Sequence, residues 1–461
     1  MSKTIRLNAF ATNTPNHMGP GLWCHPRNRT DRYTDLDYWV GLAELLERGR
    51  FDGIFLADVL GVYDVYGGTT EHALRHGVQA PVNDPSLLVP AMAHATEHLG
   101  FGVTCSTAFE HPYPFARRMT TLDHLTKGRI GWNVVTSYLE SGARNLGQAT
   151  QGAHDDRYDV ADEYMEVCYK LWEGSWEDGA ARRDREGRVF ADPSKIHPIA
   201  HAGRHYTVPG IHIGEPSPQR TPVIYQAGSS SRGRQFAARH AECVFTAAPT
   251  LPILKSYVSR LREALAAEGR DPRDTLVFNM QTVLLGETDA EAARKAAEYR
   301  EWFNYEGALT LMSGWTGIDF SGYAPDEALR YVKTNAGQSA VESFSTADPA
   351  QTWTVREMAE WCAIGGRGPV IVGSPTTVAD ALQTWIDESD ADGFNLSFAV
   401  SPGDFVDVVE MLVPELQKRG VFKRDYAAGT LRHKLFGAGP ALKATHAGAA
   451  FRVLPDRRGA A

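Results

Sequence analysis

Short apolar runs rich in valine, isoleucine and phenylalanine alternate along the chain with longer stretches whose apolar residues recur every three or four positions. Runs of the first kind read as strands buried on both faces, and stretches of the second as helices with one buried face. Residues 5–10 predict the first strand. Over 35–48, Trp39, Leu42, Leu45 and Leu46 share one helical face, with Thr34 as a candidate cap. Residues 53–57 follow as a buried strand ending at Asp58. Asp84-Pro85 has the cap-then-proline order of a helix start, and Pro90 predicts an early kink. Strands over 101–107 and 129–135 then flank a helix over 115–125 that stops at Lys127-Gly128, so four strand–helix units fit in the first 150 residues.

The second half repeats the cycle with interruptions. Tyr164, Val167, Cys168 and Leu171 mark an amphipathic helix over 160–172, whereas 173–220 is charged, carries Gly and Pro, and has little periodicity. A stretch of that length reads as an inserted excursion. Strands are expected at 222–227, 243–246 and 275–285, a second excursion at 304–351, a helix at 375–387, the last strand at 393–398 and a helix at 404–419. The alternation predicts an α/β fold: a single (β/α)8 TIM barrel over 1–440 with long insertions at about 173–220 and 304–351, and a C-terminal tail over 441–461 that is loosely ordered beyond His446. In such a barrel, functional side chains gather where the strands end.

Composition narrows the partners. A 43% hydrophobic, 22% charged chain of 461 residues has ample material for a large core. With a net charge of -9, a pI near 6.0 and no Lys/Arg-rich block, neither nucleic acid nor an anionic membrane is an expected partner, and a small molecule is. Cys24, Cys105, Cys168, Cys243 and Cys362 are scattered without a CxxC pair and read as reduced thiols of a cytoplasmic protein. No apolar leader or run of ~20 apolar residues is present. A GxGxxG after a strand is also missing, so no dinucleotide fold is expected.

Several groups could carry chemistry. Gln226-Ala227-Gly228-Ser229-Ser230-Ser231-Arg232-Gly233 runs from a strand end into a helix start, where glycines admit a ligand and the helix terminus favours an anion. It reads either as a phosphate cradle or as a serine-capped turn. His154-Asp155-Asp156-Arg157-Tyr158 brings imidazole, guanidinium and phenol together ahead of a helix, suited to a phosphate or a ring edge, or simply to capping. Asp58, Thr104, Ser106, Asn133, Thr136 and Ser137 fall at strand ends on one barrel face. His17, a possible proton donor, and Trp23 lie in the loop after the first strand and could line a pocket. His197, His201 and His205 have a loosely ligand-like spacing, but Pro198 and Gly203 break any helix there and no further ligands complete a set, so no metal is expected.

At these residues the chain resembles the luciferase-like flavin monooxygenases, in the branch that includes nitrilotriacetate monooxygenase component A and dibenzothiophene-sulfone monooxygenase. The matching stretches are Glu-Arg-Gly-Arg-Phe-Asp at 47–52, Thr-Leu-Asp-His-Leu at 121–125 with Lys-Gly-Arg at 127–129, Trp-Asn-Val-Val-Thr-Ser at 132–137, 154–158, 226–233, Thr-Gly-Ile-Asp at 316–319 and Val-Pro-Glu-Leu at 413–416. Within the branch, 57–66 and 81–85 are most similar to the dimethyl-sulfide-oxidising members. The resemblance implies FMN contacts at Asp58, Thr104, His154, Tyr158 and Ser230, with Ser229 beside it in the phosphate loop and Asn133 and Thr136 as further contacts. It implies pocket aromatics at Phe55 and Phe245. It also implies FMNH2 made by a separate NAD(P)H:FMN reductase and reaching this chain by diffusion, O2 as co-substrate, a homodimer or homotetramer, and oxidation of a small organosulfur compound such as dimethyl sulfide with carbon–sulfur cleavage. The same chemistry on a sulfone, an aminopolycarboxylate or a nitrogen heterocycle including flavin, a deazaflavin-dependent dehydrogenase, and a non-catalytic flavin carrier stay open as alternatives.

Overall fold

Along the first strand, Arg6–Thr12, the odd positions Leu7, Ala9 and Ala11 pack against helices while Phe10 packs inward, and both faces are buried. The same division holds for Ile54 and Leu56 against Phe55, for Val244 against Phe245, and for Val277 against Phe278 and Met280. This two-sided burial makes the strands read as continuous apolar runs. The computed structural model describes residues 3–453 except 229, 331, 333, 335 and 346–351.

Eight strands close the barrel: β1 Arg6–Thr12, β2 Gly53–Ala57, β3 Gly100–Ser106, β4 Ile130–Val135, β5 Val223–Gln226, β6 Cys243–Thr246, β7 Leu276–Leu285 and β8 Gly393–Ser397. Each pairs in parallel with its neighbours, and β8 returns to β1 with Arg6 opposite Gly393. The interior is plugged by aromatic rings. Phe55 lies 4.4 Å from Phe245, which stacks on Phe278 at 5.2 Å, and Tyr225 fills the space left by two glycines, since a Cβ on Gly102 would sit 2.5 Å from its ring.

The sequence-based elements hold with identifiable corrections. Asp35, rather than Thr34, caps the helix Leu36–Arg48, accepting from the Asp37 amide. The expected kink at Pro90 is a break: a 3-10 turn Pro85–Leu87 precedes a separate helix Val89–His94 with the proline in its first turn. The long helix starts at His154 rather than 160, because Asp155 and Asp156 occupy its first turn, where negative charge offsets the exposed amides. The first excursion carries two small hairpins, Ala181–Asp184 with Val189–Ala191 and His201–Ala202 with Thr207–Val208. The second carries the buried helix Tyr305–Thr316. A helix Val355–Gly365, opened by a capping box between Thr354 and Glu357, and a strand Val370–Gly373 beside the end of β7 had no counterpart in the sequence reading. Nor is the tail loose as far as 453: His446 is buried with its Nε2 2.8 Å from the His240 carbonyl, and the turn Ala447–Phe451 packs on the helix His154–Tyr169. No helix among the described residues is long and apolar enough to cross a membrane, and the five cysteines form no disulfide.

Candidate active site

Where the strands end, their inward positions turn polar: Thr12 on β1, Asp58 after β2, Thr104 and Ser106 on β3, Asn133 on β4 and Gln226 on β5. With Phe10, Phe55 and the turn after β5 they enclose a cavity of about 300 Å³. A second chamber of about 270 Å³ shares Phe10, Met18, Phe55, Tyr138 and Trp315 with the first and adds Phe245, Met280, Asn395 and Arg367. The two differ in character: the first is rimmed by hydrogen-bonding groups and the second is mainly apolar.

At one end of the first chamber a helix starts beside a serine, a histidine and a tyrosine. Ser230 caps the helix Ser231–His240, its Oγ accepting from the Gly233 amide at 3.0 Å and lying 3.5 Å from His154 Nε2. Tyr158, one turn along the helix from His154, is buried with its hydroxyl beside Ser230 and Gln226. A Cβ on Gly228 would stand 2.3 Å from Gln226 Nε2 and 2.9 Å from the Tyr158 hydroxyl, so a glycine is needed for this close approach. A helix N-terminus, a serine, an imidazole and a phenol facing one space suit a phosphate. Arg232 in the same motif turns away, donating to Asp159 and Asp162 with its guanidinium over the outside of the Tyr158 ring.

Next to this end, the chamber has unmet hydrogen-bonding capacity. Asn133 donates from Nδ2 to Thr104 Oγ1 at 2.9 Å, but its Oδ1 and the Oε1 of Gln226 have no partner, and both residues are at least 97% buried. Buried polar atoms of this kind are satisfied by a ligand or by water. Ser137 donates to Ser106 Oγ at 2.7 Å, fixing the loop that carries Thr136. Burial, reinforced by Asp84, raises the Asp58 carboxyl to about 6.

His17 stands behind the wall formed by Met18 and Phe10. Its Nδ1 is 2.9 Å from Thr12 Oγ1, its ring stacks on Phe398, and burial holds its pKa down to about 3, so the imidazole is neutral at pH 7. A neutral ring can orient and accept but holds no imidazolium proton to give. The polar chain nearest to it escaped the sequence reading: Tyr63 donates to Gln79 Oε1 at 2.8 Å and lies 2.6 Å from the Tyr138 hydroxyl, while Gln79 donates to the His17 carbonyl at 2.7 Å. Trp23 is not brought to either chamber; it is 38% exposed and faces Gly77. Phe55 and Phe245 both line the second chamber. Ser229 lies outside the described residues. His197 and His201 go to separate carboxylates, Glu177 and Glu163. Among the described residues only His72, His76 and Glu306 bring ligand atoms near one another, on the outer side of the helix Tyr305–Thr316, where the two histidines pair with the Glu306 carboxylate at 2.6 and 2.7 Å.

Residues 18–391, which hold the barrel strands from β2 to β7 and the polar strand ends from Asp58 to Gln226, match the family of luciferase-like monooxygenases. The chain belongs to that family. It is 50% identical over 453 residues to the dimethyl-sulfide monooxygenase of Hyphomicrobium sulfonivorans, covering 98% of this chain and 94% of that one. It is also 50% identical over 439 residues to the long-chain alkane monooxygenase of Geobacillus thermodenitrificans (strain NG80-2), covering 95% and 96%. A riboflavin lyase solved with a modified FMN and riboflavin superposes with a TM-score of 0.92 at 39% identity, covering 98% of this chain and all of that one. The luciferase-like membership makes the chain a monooxygenase on a (β/α)8 barrel, as the sequence resemblance implied. It does not separate a sulfide from an alkane, because the relatives named for each stand at equal identity.

Proposed function

We propose that this protein is the oxygenase component of a two-component system, which takes FMN in reduced form from a separate NAD(P)H:FMN reductase and oxidises a small organosulfur compound such as dimethyl sulfide with carbon–sulfur cleavage. The observation that carries the reading is the pair of joined chambers, one ending in an anion cradle and edged by unsatisfied amide groups, the other apolar. When bound, reduced FMN supplies the two electrons with which one atom of O2 enters the substrate and the other leaves as water. Ser230, His154, Tyr158 and the amides of the helix Ser231–His240 would hold its phosphate. Asn133, Gln226, Thr104 and Thr136 would bond the polar edge of its ring, with Asp58 nearby. Phe55 and Phe245, with Trp315 above them, would exclude water from the substrate and present it to the ring. Tyr63, Gln79 and Tyr138 would hold a proton at the boundary between the chambers, with His17 orienting Gln79 through its carbonyl. Free cysteines and reliance on a diffusing pool of reduced FMN fit a cytoplasmic protein, and we assign it a homodimeric or homotetrameric state.

The test is anaerobic titration with reduced FMN, then mixing with O2 and dimethyl sulfide while products are followed by mass spectrometry. Oxygen-dependent formaldehyde and methanethiol are expected. Binding of reduced FMN with oxygen consumed but the sulfide untouched would retain the cofactor and overturn the substrate; absence of FMN binding would overturn the whole reading. The alkane relative makes one alternative specific: the same chemistry on an alkyl chain, which a parallel reaction with an n-alkane tests.

A further inference from the structure

Arg367 is a cation in the interior that has no counter-ion among the described residues. It lies in the Gly-Gly-Arg-Gly-Pro turn at 365–369, between the helix Val355–Gly365 and the strand Val370–Gly373. Gly366 adopts a positive φ of 59°, and a Cβ there would meet the Met18 sulfur at 3.0 Å; one on Gly368 would meet the Met280 side chain at 2.9 Å. Glycines thus let the turn press against two residues of the second chamber and deliver Arg367 to its wall.

The guanidinium carbon lies 5.9 Å from the centroid of the Trp315 ring. Among the described residues its Nε has no hydrogen-bond partner, and the titratable groups that act on it are Cys362, Tyr138 and Tyr63, with no carboxylate. The contrast lies in the terminal nitrogens, since Arg270 Nε is also without a partner: three other buried arginines each place their terminal nitrogens on acceptors. Arg432 is paired with Glu242 at 2.7 Å, Arg129 donates to the Ala93, Thr96, Leu99 and Thr126 carbonyls, and Arg270 donates to the Ala238 carbonyl and the Thr275 hydroxyl. Among the described residues, those three arginines have side-chain or carbonyl acceptors, whereas the Arg367 side chain, at the wall of the second chamber, has none. In the same chamber Asn395, 2% exposed, has an Oδ1 without a partner. Phe10, Met18, Phe55, Phe245 and Met280 supply apolar walls. An unpaired guanidinium in such surroundings is a standing demand for an anion.

We propose that Arg367 is an anion subsite of the second chamber, and that the substrate is an apolar thioether ending in a carboxylate or sulfonate. Dimethyl sulfide offers this guanidinium no acceptor, so the inference narrows the proposed function, and it rests on that reading for the second chamber's role. A substrate so held would lie with its apolar body along Phe55 and Phe245 and its acidic end against Arg367 and Trp315. The same chemistry has a second source, the anionic pyrimidine edge of reduced FMN, and the experiment distinguishes the two.

The probes are (methylthio)acetate and its neutral counterpart ethyl methyl sulfide, measured by calorimetry on flavin-free and FMN-saturated wild type, Arg367→Met and Arg367→Lys. The acid is expected to bind wild type at least about tenfold tighter than the neutral sulfide, as for a charge-assisted hydrogen bond. Arg367→Met is expected to bring the two within a factor of about three, Arg367→Lys to keep part of the preference, and FMN affinity to be the same in all three in both redox states. Equal affinity of the probes for wild type, or a preference that survives in Arg367→Met, overturns the proposal. So does a loss of affinity for reduced but not oxidised FMN in Arg367→Met without any preference for the acid, which assigns the guanidinium to the flavin. Because the probe preference is also read on flavin-free protein, failure to bind FMN counts against the proposed function separately.

Discussion

The two excursions from the barrel are both long in the sequence, yet among the described residues one closes the site and the other does not reach it. The second, 304–351, gives Trp315 to the chamber walls from a helix that is buried almost throughout, and Ala336 and Gly337 from the chain beyond it. The first, 173–220, lines neither chamber. It is held on the outside of the barrel by polar contacts: Glu163 accepts from the His205 and Tyr206 amides and lies 3.3 Å from His201 Nε2, and His212 Nε2 lies 2.9 Å from Thr120 Oγ1. A segment that roofs an apolar chamber must itself be apolar on the inner side, as Tyr305–Thr316 is, whereas a segment clamped to a surface can be charged provided each buried polar group finds a partner. Length without periodicity signals an insertion; its apolar content tells whether it is a lid or a brace.

The largest expected effect falls on the brace. Arg432 bonds both carboxylate oxygens of Glu242, at 2.7 and 2.8 Å, and the carbonyls of Thr221 and Pro222, where the first excursion rejoins the barrel. Arg432→Ala leaves Glu242 buried and uncompensated and should cost about 3–5 kcal/mol, read as a lowered denaturation midpoint, with FMN affinity of the folded fraction unchanged. A stable variant with weakened FMN binding would erase the division between brace and site. Next in size is Ser230→Ala at the cradle, which should weaken FMN binding by about 1–3 kcal/mol with little change in thermal midpoint. Unchanged affinity in a flavin titration would remove Ser230 from the site.

How far the sequence reveals this division depends on what each part is made of. The barrel was legible because its strands are buried on both faces, and the strand-end residues Asp58, Thr104 and Asn133 because a polar residue closing an apolar run stands out. The serine-capped turn was legible from Gly228 and Ser230 before a helix start. The second chamber was legible only in Phe55 and Phe245: Trp315, Tyr138 and Arg367 come from three separate loops or insertions, and only closure of the barrel brings them together. The strand Val370–Gly373 is four residues long, too short for an alternation to show. The tail was misjudged because its small residues carry no periodicity, and contacts with the helix His154–Tyr169 override that weak local signal. One local signal for Arg367 was available and passed over: an arginine set between glycines ahead of a proline, in a chain whose other arginines lack such a setting.

A smaller effect sharpens the brace side again. Glu163→Ala removes the acceptor of two backbone amides and the partner of His201, and should cost about 1–3 kcal/mol of stability while leaving turnover per folded molecule as it is. A fall in turnover at constant stability would mean that the first excursion communicates with the chambers after all.

The smallest effect concerns Asp58, and its sign can be worked out. Burial first, and the neighbouring Asp84 second, raise its carboxyl from 3.8 to about 6 against the backbone hydrogen bond at Val59. Between those two values the folded protein holds a proton that the unfolded chain has released, so stability falls as pH rises through this window and levels off above it. Asp58→Asn cannot ionise and should lack that decline, gaining on wild type from pH ~4 to ~6 by about 1 kcal/mol once water at a half-buried carboxyl is allowed for. Thermal midpoints of the two proteins at several pH values measure the difference. In activity, the variant should lose any inflection near pH ~6 that wild type shows. A difference between the two proteins that stays constant across the window would mean that Asp58 ionises as it does in water, and it would then no longer serve as the titrating group of the first chamber.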